Sequence, residues 1–317
     1  MQVMNKLPFE NIERKLIYKQ KARITKPKKK NGEQLLNFGI INLDKPKGPK
    51  SIHVVNKLRH ILQQPKIGHG GTLDPAVTGV LPIATGPATR VLHLFSLAGK
   101  VYEGKLHLHG NVSEEEIKKV CKQFVGKIKQ IPPKRSAVKR EEREREVYWF
   151  DIKKIDYRNV HFETGVQHGT YIRNLCVDIG EKLGVGGHMA YLNRLQAGPM
   201  RLDESVTLQD IKNNYFKYVK TKESKYIAKF MQQPDKALSY LPAIYVDKNV
   251  IPRLKHGSPV FAPGIVAFTS EIKKGDNVAI FDTKSNLLAL GIAEMSAKEI
   301  KNAKKGLSIN TDVVFIK

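Results

Sequence analysis

Asp74 stands in a stretch that gives one carboxylate a stiff mount: Gly68-His69-Gly70-Gly71-Thr72-Leu73-Asp74-Pro75-Ala76-Val77-Thr78-Gly79-Val80-Leu81-Pro82. Glycines at 68, 70, 71 and 79 permit backbone angles and close approaches that a side chain blocks. Pro75 moves Asp74 out of the helical region and sets the direction in which the chain leaves. Acids in loops ordinarily cap helices or face water. Here the acid sits between Leu73 and Pro75, and the next acid is far along the chain. A lone, rigidly held carboxylate fits a nucleophile better than one half of a metal site or of an acid–base pair. The Gly68-x-Gly70-Gly71 triplet does not read as a phosphate loop, because no Lys-Ser/Thr follows it and the dinucleotide-binding spacing is missing.

Two other stretches present groups with chemical use. Lys100 to Gly110 alternates like a strand and carries Tyr102, His107 and His109. The two histidines have the i, i+2 spacing of a metal pair, but no third ligand stands near, so they read as one exposed strand face. Gly169-Thr170-Tyr171-Ile172-Arg173-Asn174-Leu175 opens a helix whose apolar positions are Ile172, Leu175, Cys176, Ile179 and Leu183, with Gly184 ending it. Arg173 lies off that stripe and in the first turn, where the helix dipole disfavours a cation. Something anionic should compensate, whether a surface acid or a phosphate.

The elements that must hold these groups belong to a chain of 317 residues, long enough for a real core and two domains. Its 55 Lys and Arg against 30 Asp and Glu leave a formal charge of +25. That excess suits a polyphosphate partner better than a small molecule. No apolar run approaches a membrane span, and the N-terminus lacks the apolar core of a signal peptide. Cys121 and Cys176 are too few for a zinc ribbon or a disulfide framework and fall at apolar helix positions. A soluble, intracellular, nucleic-acid-handling protein is expected.

The first sixty residues hold 15 Lys and Arg against 4 Asp and Glu. Within them Lys19 to Lys30 has no period and predicts a mobile basic arm. Phe38 to Asp44 reads as a buried strand, Lys45-Pro46-Lys47-Gly48-Pro49 as a turn, and Ser51 as the cap of a helix with Ile52, Val55, Leu58, Ile61 and Leu62 on one face. Leu81–Thr85, Val147–Ile155 and Asn159–Val166 predict strands. Ala88–Leu97 predicts a helix, as does the chain after the Ser113-x-x-Glu116 capping box. Arg201 to Leu241 looks helical, and its aromatic residues (Tyr215, Phe216, Tyr218, Tyr226, Phe230) are taken as core. After Pro242, short strands at Val260–Phe261, Ile265–Phe268, Asn277–Phe281, Leu287–Ala293 and Val313–Ile316 predict a small β-barrel.

The Asp74 stretch resembles motif II of the TruB-type pseudouridine synthases, and its Gly-His-Gly-Gly-Thr-Leu-Asp-Pro form is most similar to the dyskerin-like branch. The K-P-x-G turn before the Ser51 helix resembles motif I, and Gly-Thr-Tyr-Ile-Arg at 169–173 resembles motif III. Gln130 to Arg140 resembles the Q-x-P-P-x-R-S-A-V-K-R segment of dyskerin-like proteins, with a short linkage where bacterial tRNA enzymes carry a long thumb insertion. Gly186 to Leu195 resembles a following G-A-H-M-x-x-L-R-R segment, and Lys255-His256-Gly257, Ala262-Pro263-Gly264-Ile265 and Lys274-Gly275-Asp276 resemble a PUA domain.

The resemblance implies an α+β fold: an N-terminal basic arm (1–35) on the C-terminal barrel, a pseudouridine synthase domain (36–241) with a mixed, mainly antiparallel sheet, and a PUA barrel (242–317). It implies that Asp74 is the nucleophile, Arg173 its bidentate partner, and Tyr102 the ring stacked on the target base with a possible part in proton transfer. His69, Tyr171 and Leu192 become substrate-binding residues; no cofactor and no metal are needed. It implies a cytoplasmic archaeal subunit of a guide-RNA-directed H/ACA particle acting on rRNA, with Nop-type, Gar-type and ribosomal-protein-like partner proteins. Guide-independent action on the TΨC-loop uridine of tRNA is a second substrate; a stand-alone tRNA enzyme and a catalytically silent RNA-binding scaffold are the alternatives. Three places depart from the pattern. Glu141, Glu142, Glu144 and Glu146 interrupt a basic stretch, Asn193 stands where arginine is usual, and His168 where a small residue is usual.

Overall fold

The computed structural model describes residues 5–133 and 139–316. Lys134 to Val138, in the middle of the Gln130–Arg140 segment, and the first four residues of the N-terminal arm lie outside the described residues. The chain forms two compact units, the first built from the residues up to Pro8, Ile41–Ala84 and Val91–Phe216. Its strands run in the spatial order Ile40–Lys45, Thr78–Thr85, Gly187–Ala197, Lys100–Leu108, Asn159–Val166, Arg143–Asp156, Gly126–Gln130. Ile67–His69 adds to Thr78–Thr85, and Met200–Arg201 to Gly187–Ala197. Thr78 and Gly79 pair in parallel with Asn193 and Arg194; Lys100–Leu108 pairs antiparallel with both neighbours. This is the mixed, mainly antiparallel sheet expected of the α+β fold.

Period-two patterning explains which face is covered. Along Lys100–Leu108, Tyr102, Gly104, Leu106 and Leu108 are buried, while Glu103, Lys105 and His107 are half-exposed. The buried set packs with Val160, Phe162 and Leu192 under two helices. Glu114–Gln123 contributes Ile117, Val120 and Cys121, and Ile172–Lys182 contributes Leu175, Cys176 and Ile179. Both thiols are therefore core groups, and burial pushes that of Cys121 up to about 12. In the helix Ser51–Leu62 the buried residues are Val54, Val55, Leu58 and Leu62; Ile52, expected on that face, is 48% exposed.

The second unit comprises Phe9–Ile40, Thr85–Arg90 and Lys217–Lys317. Seven strands lie in the order Leu16–Tyr18, Ile265–Thr269, Ala243–Val246, Asn277–Asp282, Leu287–Ala293, Leu307–Val314, Val260–Phe261. The last expected strand begins six residues early, at Leu307, and the helix Ala297–Asn302, opened by a Ser296/Glu299 capping box, was not foreseen. The Arg201–Leu241 stretch breaks into helices Leu208–Thr221, Ser224–Ile227 and Pro234–Ala237. Phe230 there is core, but Phe216 is 58% exposed.

The basic arm is pinned rather than mobile. Leu16, Ile17 and Tyr18 pair with Thr269, Phe268 and Ala267 and occupy a sheet edge that would otherwise present unpaired backbone groups. The Lys19 ammonium donates to the carbonyls of Ala262 and Ala303. The Thr25 N–H donates to Thr283 O, and the Ser285 hydroxyl to Thr25 O. These contacts of Lys19–Lys30 use backbone groups and one ammonium, so its residue types do not announce them. Among the described residues no helix is long and apolar enough to cross a membrane.

Candidate active site

The Asp74 loop is held from below by two polar side chains. Lys45 is fully buried, and its ammonium donates to Pro46 O (2.9 Å), Pro75 O (3.4 Å) and Val77 O (2.9 Å). Burial lowers its pKa, the Asp74 carboxylate pulls the other way, and the Arg194 guanidinium adds to the lowering. Ser51 does not cap its helix: Lys50 occupies the cap position, and the Ser51 hydroxyl instead bridges Leu73, donating to its O (3.1 Å) and accepting from its N–H (3.0 Å). The residue before Asp74 is thus clamped to one helix and the residues after it to Lys45. Of the loop glycines, 71 (φ +121°) and 79 (φ +101°) adopt angles that disfavour a side chain. A Cβ on residue 79 would also stand 2.3 Å from Arg194 O.

Ser51→Ala removes both bonds and leaves the Leu73 N–H buried without that partner. The expected cost is about 1–3 kcal/mol of stability, read from urea unfolding of the two proteins, with a fall in activity as the loop loosens.

Asp74 so mounted meets Arg173, whose Nη2 bonds Oδ2 of the carboxylate. Arg173 is the second residue of the helix Ile172–Lys182, and Asp74 is the anion its unfavourable place on the helix dipole required. Both side chains are about half exposed, 52% and 54%, at the mouth of a cleft of about 530 Å³. Tyr102, Tyr171 and Leu192 line the same cleft, as expected. Tyr102 and Leu192 come from neighbouring strands, in which Tyr102 opposes Arg194 and Gly104 opposes Leu192. Tyr171 is fixed through its backbone: its N–H donates to Gln130 Oε1 (2.9 Å) and its carbonyl accepts from Gln130 Nε2 (3.1 Å). His69 is not among the lining residues. It sits at the end of the short strand Ile67–His69 with Nδ1 buried and unpartnered, and burial, then Arg194, lowers its pKa.

Sequence reasoning missed Lys100, Gln130 and Arg194. Arg194 is 2% exposed and lines the cleft; its guanidinium donates to Val80 O (2.7 Å) and Gly71 O (3.1 Å). Lys100 is 6% exposed and lines it too. The available signal was strand alternation, which puts Lys100 on the face of Tyr102 and Arg194 on that of Leu192. Asp74 is the one acid among the described lining residues, against the cations Lys100, Arg173 and Arg194. A carboxylate oriented by a guanidinium, facing a tyrosine ring and a leucine, can attack an electrophilic carbon of a flat ligand enclosed between them.

Two departures from the expected pattern leave the cleft lining intact. Asn193 lies on the far face of its strand, donating to Glu103 Oε1 (2.9 Å) and accepting from the Thr78 hydroxyl (2.8 Å). His168 is half-buried outside the lining, its pKa lowered by burial and then by Lys100 and Arg145. The third, the Glu-rich stretch, is sorted by the pleat. Glu142 and Glu144 pair across the hairpin with Lys129 and Lys127, each at 2.9 Å. Arg145 turns to the other face, against Gly169. His107 and His109 take different partners: His109 Nε2 lies 2.8 Å from His188 Nδ1, and His107 Nδ1 lies 2.9 Å from Asn159 Oδ1. Among the described residues no group of three or more His, Cys, Asp or Glu could hold a metal ion.

Comparison with known proteins accounts for both units. Residues 59–172 match the N-terminal domain of TruB family pseudouridylate synthases, residues 173–239 the C-terminal domain of tRNA pseudouridylate synthase B, and residues 242–315 the PUA domain. The chain is 45% identical over 313 residues to a probable tRNA pseudouridine synthase B of Pyrococcus abyssi, covering 96% of this chain and 94% of that one. It is 46% identical over 285 residues to the protein of the same description from Nanoarchaeum equitans, covering 90% and 82%. Among solved structures, a chain of a Cbf5-Nop10-Gar1 complex superposes with a TM-score of 0.92 at 41% identity, covering 98% of this chain and 96% of that one. A chain of an H/ACA RNP bound to a substrate RNA containing 2′-deoxyuridine does so at 0.90 and 38%, covering 98% of each. By these matches the chain belongs to the TruB family of pseudouridine synthases and carries a PUA domain.

Proposed function

We propose that this pseudouridine synthase isomerises RNA uridines at the Asp74 cleft, as the catalytic subunit of a guide-RNA-directed H/ACA particle acting on rRNA. The observation that carries the reading is the Asp74 carboxylate, the one acid among the described lining residues, tied to Arg173 in a cleft that Tyr102 and Leu192 also line. In the reaction an Asp74 oxygen bonds C1′ as the C1′–N1 bond breaks, the base turns, and a C1′–C5 bond forms as the C1′–O bond breaks. A proton leaves C5 and N1 gains one, so atoms and oxidation state balance and no cofactor is required. Asp74 acts as the nucleophile, Arg173 orients it, and Tyr102 and Leu192 hold the base out of its stack. Tyr171 shapes the wall beside them, and His69, from outside the lining, supports the RNA next to the extruded nucleotide.

The likeness to chains solved with Nop10 and Gar1, and with a substrate RNA, supports a guide RNA and small Nop-type and Gar-type proteins as partners, to which the family resemblance adds a ribosomal-protein-like one. The PUA domain and the arm packed on its sheet would hold the guide. The archaeal relatives support a place in the cytoplasm of an archaeal cell. Their description as tRNA pseudouridine synthases supports tRNA as a second substrate, which we take to be modified at the TΨC-loop uridine without a guide.

Tritium release from uridine labelled at C5 tests both readings. Release from an rRNA fragment is expected only with guide RNA and partner proteins present, and release from a tRNA transcript with the protein alone. Release from tRNA alone and never from guided RNA would make this a stand-alone tRNA enzyme; release from neither would leave an RNA-binding scaffold.

A further inference from the structure

Lys100 presents a cation where the reaction produces an anion. Its side chain lines the cleft two residues before Tyr102 on the same strand face, and the residue is 6% exposed. The ammonium has three donors, and they meet the carbonyls of Phe95 (3.2 Å), Ser96 and Ala98 (2.7 Å) at the end of the helix Leu92–Leu97. The nitrogen is therefore held in place, and no carboxylate is among its partners. The charged and titratable groups around it make its burial harder. Arg194 comes from the strand Gly187–Ala197, and His168 follows the strand Asn159–Val166; both lie close enough for mutual repulsion. Burial and then Arg194 push its pKa down to about 7, against three carbonyl bonds that favour the charged form.

A buried cation without an anion costs stability, which the three carbonyl bonds offset only in part. Breaking the C1′–N1 bond sends both bonding electrons into the uracil ring. For the interval before C5 bonds C1′, and before the C5 proton is lost and N1 protonated, the base is an anion. As an Asp74 oxygen bonds C1′, the carboxylate's charge passes to the departing base, and the carboxylate is freed again when C5 bonds C1′ and the C1′–O bond breaks. We propose that Lys100, in its ammonium form, supplies a positive charge held in place that stabilises the detached uracil anion. This rests on the reading of the cleft as the site of isomerisation. A preorganised charge aimed at a developing one lowers the barrier without reorganisation at the moment of reaction.

The rival role is a structural cap on the Leu92–Leu97 helix, and the identity of the leaving base separates the two. Wild type, Lys100→Met and Lys100→Arg would be assayed in single turnover on two RNAs, one with uridine and one with 5-fluorouridine at the target. The readout is loss of that nucleoside from chromatographed digests, with RNA affinity and melting temperature measured alongside. Fluorine stabilises the base anion, so its departure needs less help. Lys100→Met is expected to slow the uridine reaction by about 10²-fold at unchanged RNA affinity, and the fluorouridine reaction at least about fivefold less. Lys100→Arg is expected to restore most of the rate. Equal losses on both bases, or no loss, would make Lys100 a helix cap and overturn the proposal. If Lys100→Met does not fold, Lys100→Gln replaces it, since the amide keeps two donors for the carbonyls and removes the charge. An inactive wild type on both RNAs would instead overturn the reading of the cleft, and this proposal with it.

Discussion

Asp74→Asn is expected to lower the single-turnover rate of isomerisation by at least about 10⁴-fold while RNA affinity stays within about threefold. The amide has the shape of the carboxylate but neither its charge nor its nucleophilicity, and no other acid among the described residues lines the cleft to take its place. The fold should not notice the change. What holds the loop is the backbone: Ser51 on Leu73, Lys45 on Pro75 and Val77, and the Val77 N–H on Asp74 O at 3.0 Å. None of these contacts uses the side-chain carboxylate. Melting temperature, RNA binding by filter retention and tritium release on one preparation would check the three parts together. A variant that released tritium at the wild-type rate would remove Asp74 from the mechanism.

The second large effect is expected at Arg173. As a contribution to folding, its ion pair with Asp74 is weak: both side chains are more than half exposed, and such pairs are worth about 0–1 kcal/mol. As a means of aiming the nucleophile it is strong, since removing an oriented charge partner from an active site commonly costs about 10²–10³ in rate. Arg173→Ala should therefore lose about that much in single turnover with its melting temperature within about 2 °C of wild type. A lysine at this position cannot reproduce the planar fork of the guanidinium, so Arg173→Lys should recover only part of the loss. A fall in melting temperature in step with the rate would mean that the pair serves the fold and not the carboxylate.

How far the sequence reaches is visible in these residues. Asp74 was legible because glycine and proline constrain the backbone locally, and the constraint is written in the residues that impose it. Arg173 was legible as a cation misplaced on a helix dipole, which demanded an anion without saying which. Tyr102, Tyr171 and Leu192 were legible by their family motifs, and the structure brings all three to the cleft with Asp74 and Arg173. His69, read the same way, stays outside its lining. Ser51 was assigned to the nearest helix terminus, the local use of a serine hydroxyl; the actual partner is Leu73, 22 residues away.

By itself the sequence determined the kind of many elements, the stiff loop around one acid, and a charge suited to a polyanion. All of these depend on neighbours a few residues apart. Strand order, the exchange of Ser51 from cap to clamp, the buried cations Lys45, Lys100 and Arg194, and the anchoring of the basic arm were decided by tertiary structure. Each turns on a backbone carbonyl or an edge supplied by a distant segment, and every residue carries the same carbonyl. A lysine bound for such a carbonyl looks, in the chain, like any lysine bound for water.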